Sequence, residues 1–152
     1  MKYIIPLDLI ELEEANYHLA VKSVFTDGSE GLWVIDTGAS KSVFDRSLTN
    51  LYDETPAQEE TSVRSAGIGN DQLDTTIGML HAFHLSNLPV KPMLVALIDL
   101  SNINSLYYHA TEREICGLLG SDFLLGNKAV IDYSKLQMKL YPKGRKMSKK
   151  PF

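Results

Sequence analysis

A short apolar run that stops at an aspartate constrains the fold of this chain most strongly. Residues 32–35 read Leu-Trp-Val-Ile, four consecutive apolar residues that predict a buried β-strand. The small polar turn Asp36-Thr37-Gly38 follows directly. A strand that ends there would present the Asp36 carboxylate to a cleft in a fixed, partly buried position, which is what acid–base chemistry requires. Asp and Gly are also common turn residues, so a functional interpretation depends on the rest of the chain.

Short β-type runs alternate with turn residues along the whole sequence. Residues 17–25 form a second predicted strand, and the Asp27-Gly28 turn makes 17–35 a hairpin that delivers Asp36. Other strands are predicted over 3–10 with a break at Pro6, 73–85, 90–97, 115–120, 128–132 and 136–141. Eight or nine short strands with one or two short helices predict a mostly-β domain, closed or sandwich-like.

The helices are expected to be few and short. A helical turn is predicted over 46–51 and a loop over 52–58, where Pro56 and several polar residues lie. The best helix candidate spans 101–114, capped by Ser101 or Asn102. Its apolar residues with helical spacing are Ile103, Leu106 and Tyr107.

Size and composition indicate one globular domain. The chain has 152 residues, of which 44% are hydrophobic, and this is enough for a substantial core. Pro6 and Asp8 interrupt the first apolar stretch, which is therefore not typical of a signal peptide, and no apolar run approaches transmembrane length. The single cysteine, Cys116, excludes an intrachain disulfide and is expected to be a small buried residue. These features predict a cytoplasmic protein with no membrane partner.

Charge is distributed unevenly along the chain. The last ten residues carry five positive charges and no acid, so residues 1–142 have a net charge of −9 against −4 for the whole chain. The acidic body argues against nucleic acid as a partner. We therefore expect a folded domain over 1–142 and a basic, flexible tail over 143–152.

Two further segments contain glycine-bearing motifs. Residues 65–71 contain Gly67-Ile68-Gly69 between polar, β-prone arms, which is typical of a mobile lid or of an ordinary surface hairpin. Residues 115–120 run apolar into a glycine turn, as residues 32–38 do. A short helical segment is expected after this second turn.

In order along the chain, three segments resemble parts of the retropepsin-like aspartic proteases. Residues 33–40 resemble the catalytic loop, 65–70 the tip of the flap, and 118–125 the strand and helix that pack behind the catalytic loop. The closing hairpin at 128–141 is similar to that of single-domain relatives such as the eukaryotic DNA-damage-inducible proteins and bacterial homologues. The resemblance covers about residues 2–141. It implies a retropepsin-like closed β-barrel and a peptide hydrolase without metal or cofactor.

The resemblance also implies the roles of particular residues. Asp36 would be catalytic, supported by the rest of its loop, Thr37, Gly38, Ala39 and Ser40. The flap residues Ala66, Gly67, Ile68 and Gly69 would close over an extended polypeptide, while Leu118, Leu119, Gly120 and Asp122 would form the structural strand behind the loop. Because the chain has one such loop where pepsin-like enzymes have two, the resemblance implies a homodimer. Ala39 stands where pepsin-like enzymes carry serine, which predicts maximal turnover nearer pH 5–7 than in strong acid.

Several alternatives were weighed against this interpretation. A non-catalytic module with the same fold, binding peptides or assembling with partners, is the main one, and dimerisation and removal of the Asp36 charge discriminate between the two. His81 and His84 would point to opposite faces of a predicted strand, which disfavours a metal site. Ser40 and Ser42 lack a nearby His–Asp partnership, which disfavours a serine hydrolase.

Three local expectations complete the interpretation. Asp45 and Asp132 are expected at the surface or in turns, and Asp122 near a helix start. The 98–114 segment is longer than its retroviral equivalent and is expected to reshape the cleft or the dimer surface.

Overall fold

The computed structural model describes residues 1–55 and 76–142, which form thirteen strands, two α-helices and one 3₁₀ turn. The strands are β1 (Tyr3–Pro6), β2 (Asp8–Glu13), β3 (Asn16–Phe25), β4 (Glu30–Ile35), β5 (Val43–Asp45), β6 (Tyr52–Glu54), β7 (Thr76–Leu80), β8 (Phe83–Leu85), β9 (Leu88–Val90), β10 (Met93–Ile98), β11 (Gly117–Leu119), β12 (Val130–Asp132) and β13 (Gln137–Leu140). The helices are α1 (Ser101–Thr111) and α2 (Ser121–Gly126), and the 3₁₀ turn is Thr49–Leu51. The predicted mostly-β class, with two short helices, is confirmed.

Ten of the strands form one large sheet that curls into a half-barrel. Its hydrogen-bonded order is β6-β7-β10-β5-β11-β4-β3-β8-β9, and β2 pairs with β3 off this path. The remaining strands form a small sheet in the order β1-β13-β12, which includes the predicted closing hairpin. The predicted hairpin over 17–35 is present as β3 and β4.

The two glycine-ended apolar runs are neighbours at the centre of the large sheet. β11 pairs with β4 in parallel, with Leu118 beside Val34 and Leu119 beside Ile35. The backbone N–H of Asp36 donates to the Leu119 carbonyl at 2.9 Å, so the ladder continues one residue beyond β4. The similarity between residues 32–38 and 115–120 in the sequence thus corresponds to two adjacent strands that end side by side.

Opposite faces of β3 and β4 bury two different apolar clusters, as alternation along a strand requires. On one face, the fully buried Trp33 packs against Phe44 and Phe83, with ring centroids 5.5 Å away in both cases. Its indole N–H donates to Ser23 Oγ at 3.0 Å. The other face is covered by α1, whose Tyr107 joins Ile10, Ala20, Leu32 and Val34 from the sheet. The end of β4 is therefore packed on both sides.

Three predicted boundaries in the middle of the chain are wrong. Residues 52–54, predicted as loop, form β6 because Tyr52 is buried and pairs across to β7. The strand predicted through residue 85 breaks after Leu80, where the His81 N–H donates to the Leu51 carbonyl at 3.0 Å, and β8 pairs with β3 instead. The strand predicted over 90–97 begins at Met93, because residues 88–90 form β9, an edge position at which Pro89 loses no ladder bond. Residues 56–58 and 73–75 of these predictions lie outside the described residues.

The helix over 101–114 exists, but its cap, its end and its buried face differ from the prediction. Ser101 and Asn102 do not cap it; Leu100 occupies the N-cap position, and the Asp99 carboxylate accepts from the Ser101 N–H at 2.9 Å. α1 ends at Thr111, because Glu112 adopts a left-handed conformation with φ of 58°. Tyr107 is buried, as predicted, but Asn104 is buried with it, whereas Ile103 is 39% and Leu106 67% exposed.

Asn104 explains why the buried face of α1 is shifted. Its side-chain amide donates to the Ile115 carbonyl at 3.0 Å, and its side-chain oxygen accepts from the Ile115 N–H at 2.7 Å. A buried amide is tolerated when its polar atoms are satisfied in this way. These two hydrogen bonds therefore connect α1 to the chain segment that precedes β11. The spacing of apolar residues cannot predict this contact, because Asn104 is polar.

Two further predictions concern acids and cysteine. Asp45 is not at the surface: it is buried at the end of β5, where its carboxylate accepts from the Ser47 N–H at 3.1 Å. Cys116 is buried, as expected, and burial raises the pKa of its thiol well above the ordinary range. Within residues 1–55 and 76–142, no helix is long and apolar enough to cross a membrane.

Candidate active site

Asp36 lies in the turn that directly follows β4, and backbone groups of that turn hold it. The Gly38 N–H donates to Asp36 Oδ1 at 3.0 Å, and the Ala39 N–H donates to the Asp36 carbonyl at 3.1 Å. Asp36 is half-buried, while Thr37 and Gly38 are exposed. The carboxylate is thus fixed by the strand on one side and by its own turn on the other, at an open surface of the domain.

The far end of the loop is fixed by a hydrogen-bonded cluster, which we call the Asp122 clamp and which consists of Ser42, Gly120, Asp122 and Phe123. The backbone N–H and the hydroxyl of Ser42 both donate to Asp122 Oδ1, at 2.9 and 2.7 Å. The Phe123 N–H donates to the same oxygen at 2.8 Å, and the Gly120 N–H donates to Ser42 Oγ at 3.0 Å. Ser42 is completely buried, so the clamp connects the start of α2 to the loop that contains Asp36 through buried hydrogen bonds.

Gly120 allows the loop and the start of α2 to approach closely. A Cβ at this position would lie 2.7 Å from the Ala39 carbonyl oxygen and 3.0 Å from that of Lys41. The Ser121 N–H donates to the same Ala39 carbonyl at 2.7 Å. A side chain at residue 120 would therefore push α2 away from the loop.

The structure brings the predicted loop residues and the predicted strand behind them into one cluster. Asp36, Thr37, Gly38, Ala39 and Ser40 form the turn; Leu118 and Leu119 lie in β11 beside β4; and Gly120 and Asp122 stand at the entry to α2. Asp122 does accept a bond at a helix start, as expected, and it also reaches the loop. The flap residues Ala66, Gly67, Ile68 and Gly69 lie outside the described residues.

Sequence reasoning did not identify Ser42 as a residue that supports the loop. It was considered only as a nucleophile, although a serine directly before the apolar pair Val43-Phe44 is a signal of a buried hydroxyl that needs partners. The contact between Tyr107 and His18 was not predicted either. The Tyr107 hydroxyl lies 3.2 Å from His18 Nδ1, and the two rings meet edge to face with centroids 6.0 Å apart.

Electrostatic coupling relates Tyr107 to the loop. Burial raises the pKa of the Tyr107 hydroxyl above its ordinary value, and the negative charge of Asp36 raises it further. A charge influences a neighbouring group in this way only over a short distance.

The histidines and acids do not form a metal-binding cluster in the described part of the chain, where no three His, Cys, Asp or Glu side chains could share an ion. His81 Nε2 lies 3.1 Å from an oxygen of the exposed Asp53, whereas His84 is exposed on β8. The chemistry available at Asp36 is that of a positioned carboxylate.

A sequence model of the aspartyl protease family matches residues 22–123. The chain belongs to this family. The matched residues of this aspartyl protease include Asp36 and the complete Asp122 clamp, and they end within α2. The predicted family, the aspartic proteases, is thereby confirmed.

Two solved structures align with most of this chain. A retropepsin-like aspartic protease from Rickettsia conorii aligns with a TM-score of 0.48 and 15% identity, over 92% of this chain and 90% of that one. The retroviral protease-like domain of Ddi1 from Leishmania major aligns with a TM-score of 0.47 and 17% identity, over 77% of this chain and 82% of that one. No curated protein matches the sequence.

Proposed function

We propose that this aspartyl protease is a homodimeric endopeptidase in which Asp36 of each protomer supplies one of two catalytic carboxylates. The observation that carries the proposal is the geometry of the loop. Asp36 Oδ1 accepts from the Gly38 N–H at 3.0 Å, and the loop is fixed at one end by β11 and at the other by the Asp122 clamp. A carboxylate that must act on water needs such a rigid frame.

The chemistry follows from two carboxyl groups at a shared axis. At about 3 Å they cannot both ionise, so that they hold one proton between them. The ionised group takes a proton from a water molecule whose oxygen attacks the scissile carbonyl carbon, while the protonated group donates to the carbonyl oxygen. The tetrahedral intermediate collapses when a carboxyl proton passes to the amide nitrogen, the C–N bond breaks, and an acid and an amine leave.

A dimer supplies the second carboxylate because the sequence has one Asp-Thr-Gly loop. In a two-fold symmetric interface the same patch of both protomers meets, so that a residue on the axis faces its own copy. Thr37 is exposed beside Asp36, and its hydroxyl would bond to the backbone of the partner's loop. The substrate would be an extended polypeptide bound as an added strand, with Ala66, Gly67, Ile68 and Gly69 closing over it. We also propose a cytoplasmic location, with no membrane or nucleic-acid partner.

The proposal is tested by incubating the purified protein with a diverse peptide mixture between pH 4 and 7. Two variants are compared with the wild type. Asp36→Asn removes the catalytic charge, and Asp53→Asn removes an equal charge from a carboxylate that is 81% exposed. We expect the same cleavage products from the wild type and Asp53→Asn, and none of them from Asp36→Asn.

Sedimentation of the same samples measures the oligomeric state. The interpretation of every other cleavage result depends on whether the protein is a dimer or a monomer. Products that persist in Asp36→Asn would contradict the role of Asp36. A dimer that cleaves nothing would favour the non-catalytic binding module with the same fold. A monomer that cleaves peptides would contradict the shared site.

A further inference from the structure

A cavity of about 830 Å³ lies where β9 and the start of β10 meet α2 and β1. Its wall is mainly apolar: Leu88 and Phe123 are buried beneath it, Val90 and Met93 are half-buried, and Leu94 is 41% exposed. Ligand sites commonly enclose about 300–1,000 Å³, and apolar side chains grouped at a surface mark contact with a partner. The size and the lining are therefore those of a binding site.

Two lysines give this cavity a positive lining on an acidic domain. Lys41 and Lys91 line it, and the ammonium group of neither makes an ion pair or a hydrogen bond with the described part of the chain. The other charged side chain that lines it there is Asp122, whose Oδ1 already accepts three hydrogen bonds within the clamp. Because residues 1–142 carry a net charge of −9, this lining is a local exception that favours an anionic partner.

The strand edge beside the cavity limits how a partner can bind. β9 is the last strand on its side of the large sheet as described, and Pro89 and Pro92 have no N–H to offer to an added strand. A partner would therefore bind through its side chains, with apolar groups in the cavity and carboxylates at the two lysines.

The cavity borders the loop that contains Asp36. Lys41 lies five residues after Asp36 and directly before Ser42, and Asp122 accepts the hydrogen bonds of the clamp that fixes this loop. Five residues of chain span at most about 18 Å, and an extended peptide rises about 3.3 Å per residue. A polypeptide that passes Asp36 can therefore reach the cavity with a residue about five or six positions from the bond to be cleaved.

We propose that this cavity is an exosite, a surface that binds the polypeptide substrate away from the scissile bond, and that it selects a segment combining apolar side chains with Asp or Glu. Lys41 and Lys91 bind the carboxylates, and Leu94 contacts the apolar side chains. The inference rests on the proposed function, because it names the substrate class of the same enzyme.

Charge argues against the chain's own C-terminal segment as the occupant. Pro142 lines the cavity, and residues 143–152 follow it with five positive charges and no acid. The two lysines would repel that segment, whereas they attract an acidic segment of another polypeptide. A second copy of this chain is the remaining alternative, which the experiment distinguishes.

Binding is measured on Asp36→Asn protein, so that the result does not depend on cleavage. The probes are a short fluorescent peptide of Leu, Ser and Glu and its counterpart with Gln in place of every Glu. We expect the Glu peptide to bind more tightly, and its Kd to rise by about two- to fivefold in Lys41→Ala and in Lys91→Ala, the loss of one exposed ion pair each. Lys91→Glu should raise that Kd by about tenfold, and Leu94→Thr should weaken the binding of both peptides.

The matched controls are Lys22→Ala, Lys22→Glu and Val24→Thr, which change exposed side chains of β3 outside the cavity and should leave both Kd values unchanged. Equal affinity for the two peptides, or a Kd that Lys91→Glu does not alter, would overturn the proposal. Displacement of the Gln peptide by a synthetic peptide of residues 143–152 would identify the C-terminal segment as the occupant. A dimer that Lys91→Glu converts to monomer in sedimentation would identify a second copy instead, and either result would contradict the exosite.

Cleavage separates a failure of this inference from a failure of the proposed function. The ratio of kcat/KM for Glu-containing substrates to that for their Gln counterparts should fall in Lys91→Glu and stay constant in Lys22→Glu. Selective binding by a protein that cleaves nothing would contradict the proposed function and leave the docking surface supported. Cleavage whose ratio is the same in the wild type and in Lys91→Glu would overturn the exosite and leave the protease supported.

Discussion

The Asp122 clamp makes Ser42 the most informative residue to change. Ser42→Ala deletes a hydroxyl that donates to the Asp122 carboxylate at 2.7 Å and accepts from the Gly120 N–H at 3.0 Å. A bond to a charged group contributes about 1.5–3 kcal/mol, and a buried donor left without a partner costs about 1–3 kcal/mol. Asp122 is itself exposed and keeps two backbone donors in the variant, so both energies should lie near the low ends of these ranges. The free energy of unfolding should therefore fall by about 3 kcal/mol.

Urea denaturation followed by far-UV circular dichroism measures this loss, with all samples at one protein concentration because a dimer's stability depends on concentration. For a chain of this length, about 3 kcal/mol lowers Tm by roughly 6–12 °C. The control is Ser105→Ala, an exposed position on α1 that should change stability by less than about 0.5 kcal/mol. A Ser42→Ala variant as stable as the control would refute the clamp as a support of the loop.

Three further predictions concern Gly117, Asp27 and Ala39. Gly117→Ala should cost about 3 kcal/mol or prevent folding, because the new Cβ would collide with the Val43 carbonyl and lie 2.7 Å from the Trp33 ring; Gly126→Ala, with open space around it, should leave Tm nearly unchanged. Bonds from Ser29 hold the pKa of Asp27 below its ordinary 3.8, so they stabilise the fold above that pH and stop doing so as the pH falls through the lowered value. The Tm of Asp27→Ala should therefore lie below that of the wild type at pH 7, and the difference between the two Tm values should shrink in acid. A difference that does not change with pH would contradict the stabilisation by the ionised Asp27 carboxylate. Turnover should be maximal at pH 5–7 and extend to lower pH in Ala39→Ser, whereas a wild-type maximum at pH 2–3 would contradict the role of Ala39.

The strand that carries Asp36 could be predicted because its pattern is local. Residues 32–35 are all apolar and end in turn residues, and the second such run at 115–120 follows the same rule. Their shared pattern indicated that both runs end in a glycine turn. Their pairing as adjacent parallel strands depends on the tertiary structure and could not be predicted from the pattern.

The errors arose where a distant partner decides the local structure. Tyr52–Glu54 has a polar, loop-like sequence and becomes a strand only because β7 lies beside it. On α1, the predicted Tyr107 is buried, but Ile103 and Leu106 are exposed, and Asn104 is buried because the Ile115 backbone satisfies its amide. Periodicity cannot identify buried polar residues, since their partners are remote in sequence.

The site was likewise predictable only in part. Asp36 and its loop were predicted from the motif, and Asp122 from its place near a helix start. The clamp partner Ser42 is 80 residues from Asp122, and the partners Tyr107 and His18 are 89 residues apart. Such pairs are defined by the fold.

Subunit mixing tests the central claim, a catalytic dyad with one Asp36 from each chain, most directly. Wild-type and Asp36→Asn chains with different tags are co-expressed, and the heterodimer, which has one intact Asp36, is purified through both tags. We predict that this heterodimer cleaves nothing, and that a freely exchanging equal mixture retains about a quarter of the wild-type activity at the same total concentration. A heterodimer with half the activity of the wild-type dimer would mean that each chain works alone, and the shared dyad would be contradicted.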